Sequence, residues 1–338
     1  MSKTVIILAI ESSCDDTSAA ILKGRKVLSN IVANQKVHSL YGGVVPELAS
    51  RAHQQNIIPV VDTAIRKANI KKEDITAIAF TKGPGLLGSL LVGSSFAKSF
   101  AIGMNIPLIS VNHMQGHILS HFIDEGGKTP KFPFLCLTVS GGHTQIVKVD
   151  SPSKMKIIGT TLDDAAGEAF DKSARILGFT YPGGPLIDKY AQKGDIHAFE
   201  FGKPKVEQLD FSFSGLKTSI LRLIEKRLKE NPKFIENNLE DLCASIQHSI
   251  VSILINKLEK AIIQTKIKEL AIAGGVSANS YLRSELEKLT KKKKYQLYIP
   301  KLEYCTDNAA MIAIAGYFKY LDKDFTSQRE KPSARLSF

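Results

Sequence analysis

The chain has 338 residues, room for about two domains of roughly 100–200 residues each and for a sizeable core. With 43% hydrophobic and 23% charged residues it has the composition of a folded globular protein, which excludes disorder, collagen-like repeats and small disulfide scaffolds. Its 45 Lys and Arg against 33 Asp and Glu leave a net charge of +12 and a pI near 9.3, a surplus that favours nucleic acid or phosphorylated ligands.

The first residues, MSKTVIILAI, run into an apolar strand without the architecture of a signal peptide, so a cytoplasmic location is expected. Val5 to Leu22 reads as strand, short polar turn and second strand, the turn being Glu11 to Thr17. Ile75 to Thr81 is strand-like, and Gly83-Pro84-Gly85 then turns the chain into an apolar segment from Leu86 to Met104. Lys98 and several Ser and Gly in that segment predict a buried helix and not a membrane span. A polar, turn-rich stretch at Gly126–Pro133 marks a boundary between lobes.

Phe134 to Val149 repeats the strand–turn–strand design of the amino terminus, which predicts two lobes with one core plan. Leu216 to about Gln264 reads as helix interrupted at Asn231-Pro232, and Glu269 to Ala273 as a short strand ahead of Gly274-Gly275 and another helix. Strands alternating with helices predict an α/β fold. Lys291–Lys294 reads as a solvated basic loop. The four cysteines, Cys14, Cys136, Cys243 and Cys305, lie too far apart for a disulfide framework or a zinc knuckle.

Several short motifs can carry chemistry. His113 and His117 are four apart, so on a helix both imidazoles share a face and can hold one metal; the plain alternative is two polar histidines. A zinc protease needs Glu directly after the first His, where this chain has Met114. Ser140-Gly141-Gly142 lies in the second strand–turn–strand unit, where glycines let backbone N–H groups approach a phosphate, or alternatively supply the positive φ of a tight hairpin. Asp163 and Asp164 read as caps of the helix they precede, whereas Asp171 lies further in and needs another reason. Tyr181 to Pro185 forms a rigid loop with Asp188 one turn beyond. Ala273 to Asn279 can, in a nucleotide-binding protein, hold the sugar or base, or be a plain strand-to-helix turn with a polar cap. Asp307, at the start of the last helix, reads in isolation as a cap.

Two strand–turn–strand phosphate loops are the device by which the actin and sugar-kinase superfamily holds nucleotides. In their order, IESSCDDT, GGVVPELASRAH, KGPGLLGSLLVG, VNHMQGH, VSGGHTQ, DDAAGEAFDK, YPGGP, FSFSGLKT, GGVSAN and CTDNAAMIA resemble one family over almost the whole chain: the TsaD proteins, formerly Gcp or YgjD. The resemblance implies a two-lobed actin-like fold, a duplicated ribonuclease H-like core with a cleft between lobes. It places one lobe at 1–130, joined by the terminal helix at about 307–338, and the other at 131–306. It implies transfer of threonylcarbamoyl from L-threonylcarbamoyl-AMP to N6 of adenosine 37 in tRNAs reading ANN codons, with AMP released. It also implies a divalent metal, Fe(II) ahead of zinc, on His113, His117 and Asp307. Substrate contacts carried over by the same resemblance are Thr138, Val139, Ser140, Gly141, Gly142, Asp171, Gly184, Asp188 and Asn279. The implied partners are tRNA, the TsaB and TsaE proteins, and a TsaC/Sua5 enzyme that supplies the donor, with no membrane.

The family pattern leaves the proton-transfer residue unassigned, with Asp15 as a candidate. The archaeal and eukaryotic relatives carry Tyr where this chain has Thr138, so a tyrosinate ligand is not available here. The main alternative is a small-molecule kinase of the same superfamily; a nucleotide-regulated nucleic-acid-binding module is the non-enzymatic one.

Overall fold

The computed structural model describes residues 4–202, 204 and 206–337. In chain order its regular elements begin with β1 (Ile6–Glu11), β2 (Thr17–Lys23), β3 (Lys26–Ala33), α1 (Pro46–Lys67), β4 (Ala77–Gly83), α2 (Leu87–Met104), β5 (Leu108–Asn112) and α3 (His113–Leu119). They continue with β6 (Phe134–Val139), β7 (Thr144–Ser151), β8 (Lys154–Thr160), α4 (Ala166–Ile176), α5 (Gly184–Ala191), α6 (Ser214–Glu230), α7 (Phe234–Asn237) and α8 (Leu239–Thr265). The last are β9 (Glu269–Ala273), α9 (Ser280–Lys293), β10 (Gln296–Tyr298) and α10 (Ala309–Leu321).

The chain divides into two compact units. The first comprises Met1–Pro130, Ser151–Met155 and Pro300–Phe338; the second comprises Lys131–Asp150 and Lys156–Ile299. Each centres on a five-stranded mixed sheet, ordered β3-β2-β1-β4-β5 in one and β8-β7-β6-β9-β10 in the other. Strand for strand, the two sheets have the same plan. In both, a hairpin pairs antiparallel (Ile6 opposite Lys23; Phe134 opposite Val149), and a later strand pairs parallel to its first arm (Ile7 beside Ala77; Leu135 beside Leu270). This is the ribonuclease H-like plan, present twice.

Central strands buried on both faces read as unbroken apolar runs. β1 (IILAIE) and β6 (FLCLTV) are buried at every position, which is why they stand out in the sequence. In the first unit α1 and α2 cover one side, where Ile57, Val60, Val61, Ala64, Ala97 and Ala101 join Leu8, Ile10 and Ile78 in one core. α10 packs on β1, β2 and β4. It sits close because Gly316 has no side chain: a β-carbon there would lie 2.7 Å from Ala79 Cβ. α4, α5, α6 and α8 enclose the second sheet in a core that includes Phe170, Phe211, Phe213 and Ile250.

Two expectations need correction. α2 is not buried all round: Leu87, Leu91 and Ile102 are 51%, 46% and 67% exposed, and only its Ser89, Leu90, Gly93, Ser94, Ala97 and Ala101 face is buried. By length and composition it is apolar enough to cross a membrane, with a third of it buried. Lys291–Lys293 form the last turn of α9, with Lys294 left-handed as its cap, so the run is a helix end and not a loop. There the cations oppose the negative end of the helix dipole.

Candidate metal centre and nucleotide-binding turns

α3 starts directly from β5. Asn112 closes the strand and caps the helix, its Oδ1 accepting from Met114 N (2.9 Å) and Gln115 N (3.3 Å). Helical spacing then puts His113 and His117 on one face, their rings edge to face at 4.7 Å between centroids. Both are buried. Asp307 meets that face: its Oδ1 lies 3.3 Å from His113 Nε2 and 3.1 Å from His117 Nε2.

Asp307 is not the cap expected of it. Asn308 takes that role, accepting from Met311 N at 3.1 Å, and leaves the Asp307 carboxylate to the two imidazoles. The three ligand atoms lie within 4.8 Å of one another, and the Asp307 side chain keeps 30% of its surface exposed, so the cluster has an open side. Two imidazole nitrogens and one carboxylate with room for further ligands fit a divalent first-row metal.

Burial raises the Asp307 carboxyl, but the charges and hydrogen bonds of His113 and His117 together outweigh it and hold the group well below the ordinary range. His113 is disfavoured as a cation by burial, yet Asp307 and Glu11 push its pKa well above the usual value. Asp16, hydrogen-bonded from Asn34 Nδ2 at 2.9 Å, is pushed up to about 7 by burial and by the charges of Asp15 and Asp307.

The second unit gathers the other motifs. The β6–β7 hairpin closes through Ser140 N to His143 O (2.8 Å) and His143 N to Ser140 Oγ (3.1 Å). Neither Gly141 nor Gly142 is in the left-handed region, so positive φ does not explain them. A β-carbon built on either has no atom of the described residues within 4 Å, so their effect is to leave the turn's backbone open on that side. α4 begins against this turn, Gly167 N donating to Ser140 O at 3.2 Å. Gly274, at φ +87°, comes so close to the end of β6 that a β-carbon would lie 2.5 Å from Val139 O.

The remaining carried-over residues tie these elements together. Asp171 Oδ1, on α4, accepts from Gly183 N (2.8 Å) and Gly184 N (3.1 Å), which fixes the start of α5; this is the reason its position called for. Asp188, on α5, accepts from Ser280 N (3.0 Å) and Ser280 Oγ (2.7 Å) at the start of α9. Asn279 caps α9 through Leu282 N (2.8 Å) and donates to Gln247 Oε1 of α8 at 2.6 Å. Thr138–Gly142, Asp171, Gly184, Asp188 and Asn279 thus belong to one connected set of turns and helix starts within the second unit. His113, His117 and Asp307 form their own cluster in the first.

One expected cap belongs elsewhere. Asp163 does not cap α4; it accepts from Ser212 Oγ, Phe213 N, Ser214 N and Ser214 Oγ, and so caps α6 from a distant segment. Asp164 pairs with Lys172 at 2.6 Å. Residues that sequence reading passed over are Gln247, Gly167 and Thr81. Only long-range contacts single them out, although the charge of Glu11 at the end of a wholly apolar strand was a visible signal.

A profile described as "TsaD: tRNA N6-adenosine threonylcarbamoyltransferase" matches residues 26–314. A protein of Christiangramia forsetii with that enzyme name is 63% identical over 333 residues, 98% of each chain. One of Porphyromonas gingivalis with the same name is 55% identical over 340 residues, the whole of both. Among solved structures, component A of the (R)-2-hydroxyglutaryl-CoA dehydratase of Acidaminococcus fermentans aligns over 94% of this chain and all of its own, with TM-score 0.54 and 15% identity. Full-length HypF aligns over 95% of this chain and 47% of its own, with TM-score 0.61 and 12% identity. At such identities these structures speak to the fold alone, which is of the actin-like class.

Proposed function

The chain belongs to the TsaD family of tRNA N6-adenosine threonylcarbamoyltransferases, and from that membership we propose how its residues carry out the transfer. The enzyme acts on tRNA, at N6 of adenosine 37, and depends on a metal. The donor is L-threonylcarbamoyl-AMP. The amine attacks the carbamoyl carbon, a C–N bond forms, the C–O bond to phosphate breaks, and AMP leaves with the electron pair. The amine's proton passes to solvent or a neighbouring base. No ATP is consumed in this step.

The N6 amine is a weak nucleophile because its lone pair is delocalised into the purine ring. Positioning therefore carries much of the rate. The open backbone at Ser140–Gly142, backed by the amino-terminal end of α4, suits the adenylate phosphate. Thr138 and Val139 lead into that turn. Gly184, Asp188 and Asn279 border the same connected region and bind the rest of the nucleotide, while Asp171 holds Gly184 in place. His113, His117 and Asp307 hold the metal, Fe(II) on the character of the donor set. Bound there, the ion supplies Lewis acidity toward donor oxygens.

The TsaB and TsaE proteins act with this chain, and a TsaC/Sua5 enzyme makes the donor. A tRNA substrate supports a cytoplasmic location, and the net charge of +12 suits a polyanion. The kinase alternative finds no support in relatives that are transferases by name over the full chain. The single observation carrying the reading is the convergence of His113, His117 and Asp307 from separate parts of the sequence. The test is transfer of labelled threonylcarbamoyl from the adenylate to unmodified tRNA, with TsaB and TsaE present and metal content assayed in parallel. Label on adenosine 37, lost together with metal in the His113→Ala/His117→Ala variant, is expected. Full transfer and metal content in that variant would overturn the metal assignment. Absence of transfer with all partners, alongside ATP-dependent phosphorylation of a small molecule, would overturn the transferase reading.

A further inference from the structure

Glu11 ends β1 with its side chain fully buried, beside an apolar core. A carboxylate in such a place needs a hydrogen-bond partner on each oxygen. Oε1 accepts from Ser13 N at 2.5 Å, and Oε2 accepts from Thr81 Oγ1 at 2.5 Å. Oε2 also faces His113 Nδ1 at 3.2 Å. The other nitrogen of that ring, Nε2, is the one turned toward Asp307.

His113 Nδ1 has a second neighbour, Ser13 Oγ, at 3.1 Å. A hydroxyl can give or take a hydrogen there and so leaves the tautomer open. If it gave one, Nδ1 would be the acceptor and Nε2 would carry the hydrogen, which prevents Nε2 from ligating. An ionised carboxylate can only accept, so Glu11 keeps the hydrogen on Nδ1 and leaves Nε2, the nitrogen on the Asp307 side, as the one that can offer its lone pair to an ion. His117 has no such arrangement: its Nδ1 is buried with no hydrogen-bond partner among the described residues. The two imidazoles are therefore unequally supported.

We propose that Glu11 is the positioning residue of the metal centre, selecting the tautomer and ring orientation of His113 and so setting how tightly the ion is held without touching it. This rests on the assignment of His113, His117 and Asp307 as ligands. Outer partners of this kind typically change metal affinity by about 10–100-fold.

The experiment uses the full-length chain, stripped with chelator and titrated with Co(II) in competition with a chromophoric chelator, reading affinity, stoichiometry and the visible spectrum of the bound ion. Glu11→Gln keeps the shape but adds an amide donor that can face Nδ1. It is expected to bind Co(II) about 10–100-fold more weakly than wild type, with an altered visible band, while far-ultraviolet circular dichroism shows a folded chain. Equal affinity and an unchanged band in Glu11→Gln, with binding lost in His113→Ala/His117→Ala, would overturn the role of Glu11 and leave the ligand assignment standing. Wild-type binding retained by the double histidine variant would overturn both. Should Glu11→Gln fail to fold, Thr81→Val keeps the charge and removes the hydroxyl that holds Oε2. A smaller loss of affinity is then expected, and none would overturn the proposal.

Discussion

Gly167 approaches Ser140 so closely that a β-carbon on it would lie 2.6 Å from the Ser140 carbonyl oxygen and 2.8 Å from Gly141 N. The first turn of α4 and the β6–β7 turn are thus in backbone contact, joined by Gly167 N to Ser140 O.

Gly167→Ala therefore has to move one of two backbones. Overpacking of this kind costs about 1–3 kcal/mol. The melting temperature is expected to fall, and KM for the adenylate donor to rise more than KM for tRNA. Steady-state kinetics with each substrate varied in turn checks this; equal effects on both would argue against a donor site at this turn.

Adjacent residues at the start of α10 should separate cleanly. Asn308→Ala removes the cap on Met311 N and should cost about 1 kcal/mol while leaving metal content at one per chain. Asp307→Asn keeps the shape but withdraws the charge that His113 and His117 face, and should abolish stoichiometric metal. Thermal melts and elemental analysis of both variants decide it.

Asp163 joins two distant segments through four donors on Ser212, Phe213 and Ser214. Asp163→Ala should destabilise by about 1–3 kcal/mol, because the backbone donors at the start of α6 lose their acceptor. Burial alone would raise this carboxyl, but the hydrogen bonds from Ser212, Phe213 and Ser214 outweigh it and hold the pKa below the ordinary value. A lowered native pKa means stability present above the unfolded value of about 3.9 and lost as pH falls through the native one. Urea unfolding should show the gap between wild type and Asp163→Asn narrowing below pH 4 and constant at neutral pH.

Gln247 is the only described hydrogen-bond acceptor for the Asn279 amide group, at 2.6 Å and buried. Gln247→Leu leaves that donor unpaired, at a cost of about 1–3 kcal/mol. If Asn279 holds the nucleotide, donor KM rises, and Asn279→Ala together with Gln247→Leu should be no worse than Asn279→Ala alone. Additive losses in the double variant would show that Gln247 acts independently.

The sequence alone dictates the duplicated sheet plan. β1 and β6 are buried on both faces and must read as apolar runs, and each is followed by a short turn and a second strand, a pattern local enough to see without coordinates. It also determined that His113 and His117 share a helix face, because helical periodicity alone requires it. Asp307 as their third member came only from family resemblance; its position alone pointed to a cap, and Asn308 fills that role. Tertiary structure alone decided which helix Asp163 caps, why Gly167 tolerates no side chain, and that Glu11 stands behind His113. Each of these is a contact between segments far apart in the chain, and no period of 2.0 or 3.6 residues encodes such a meeting. It follows from how sheets and helices pack once their apolar faces have been buried.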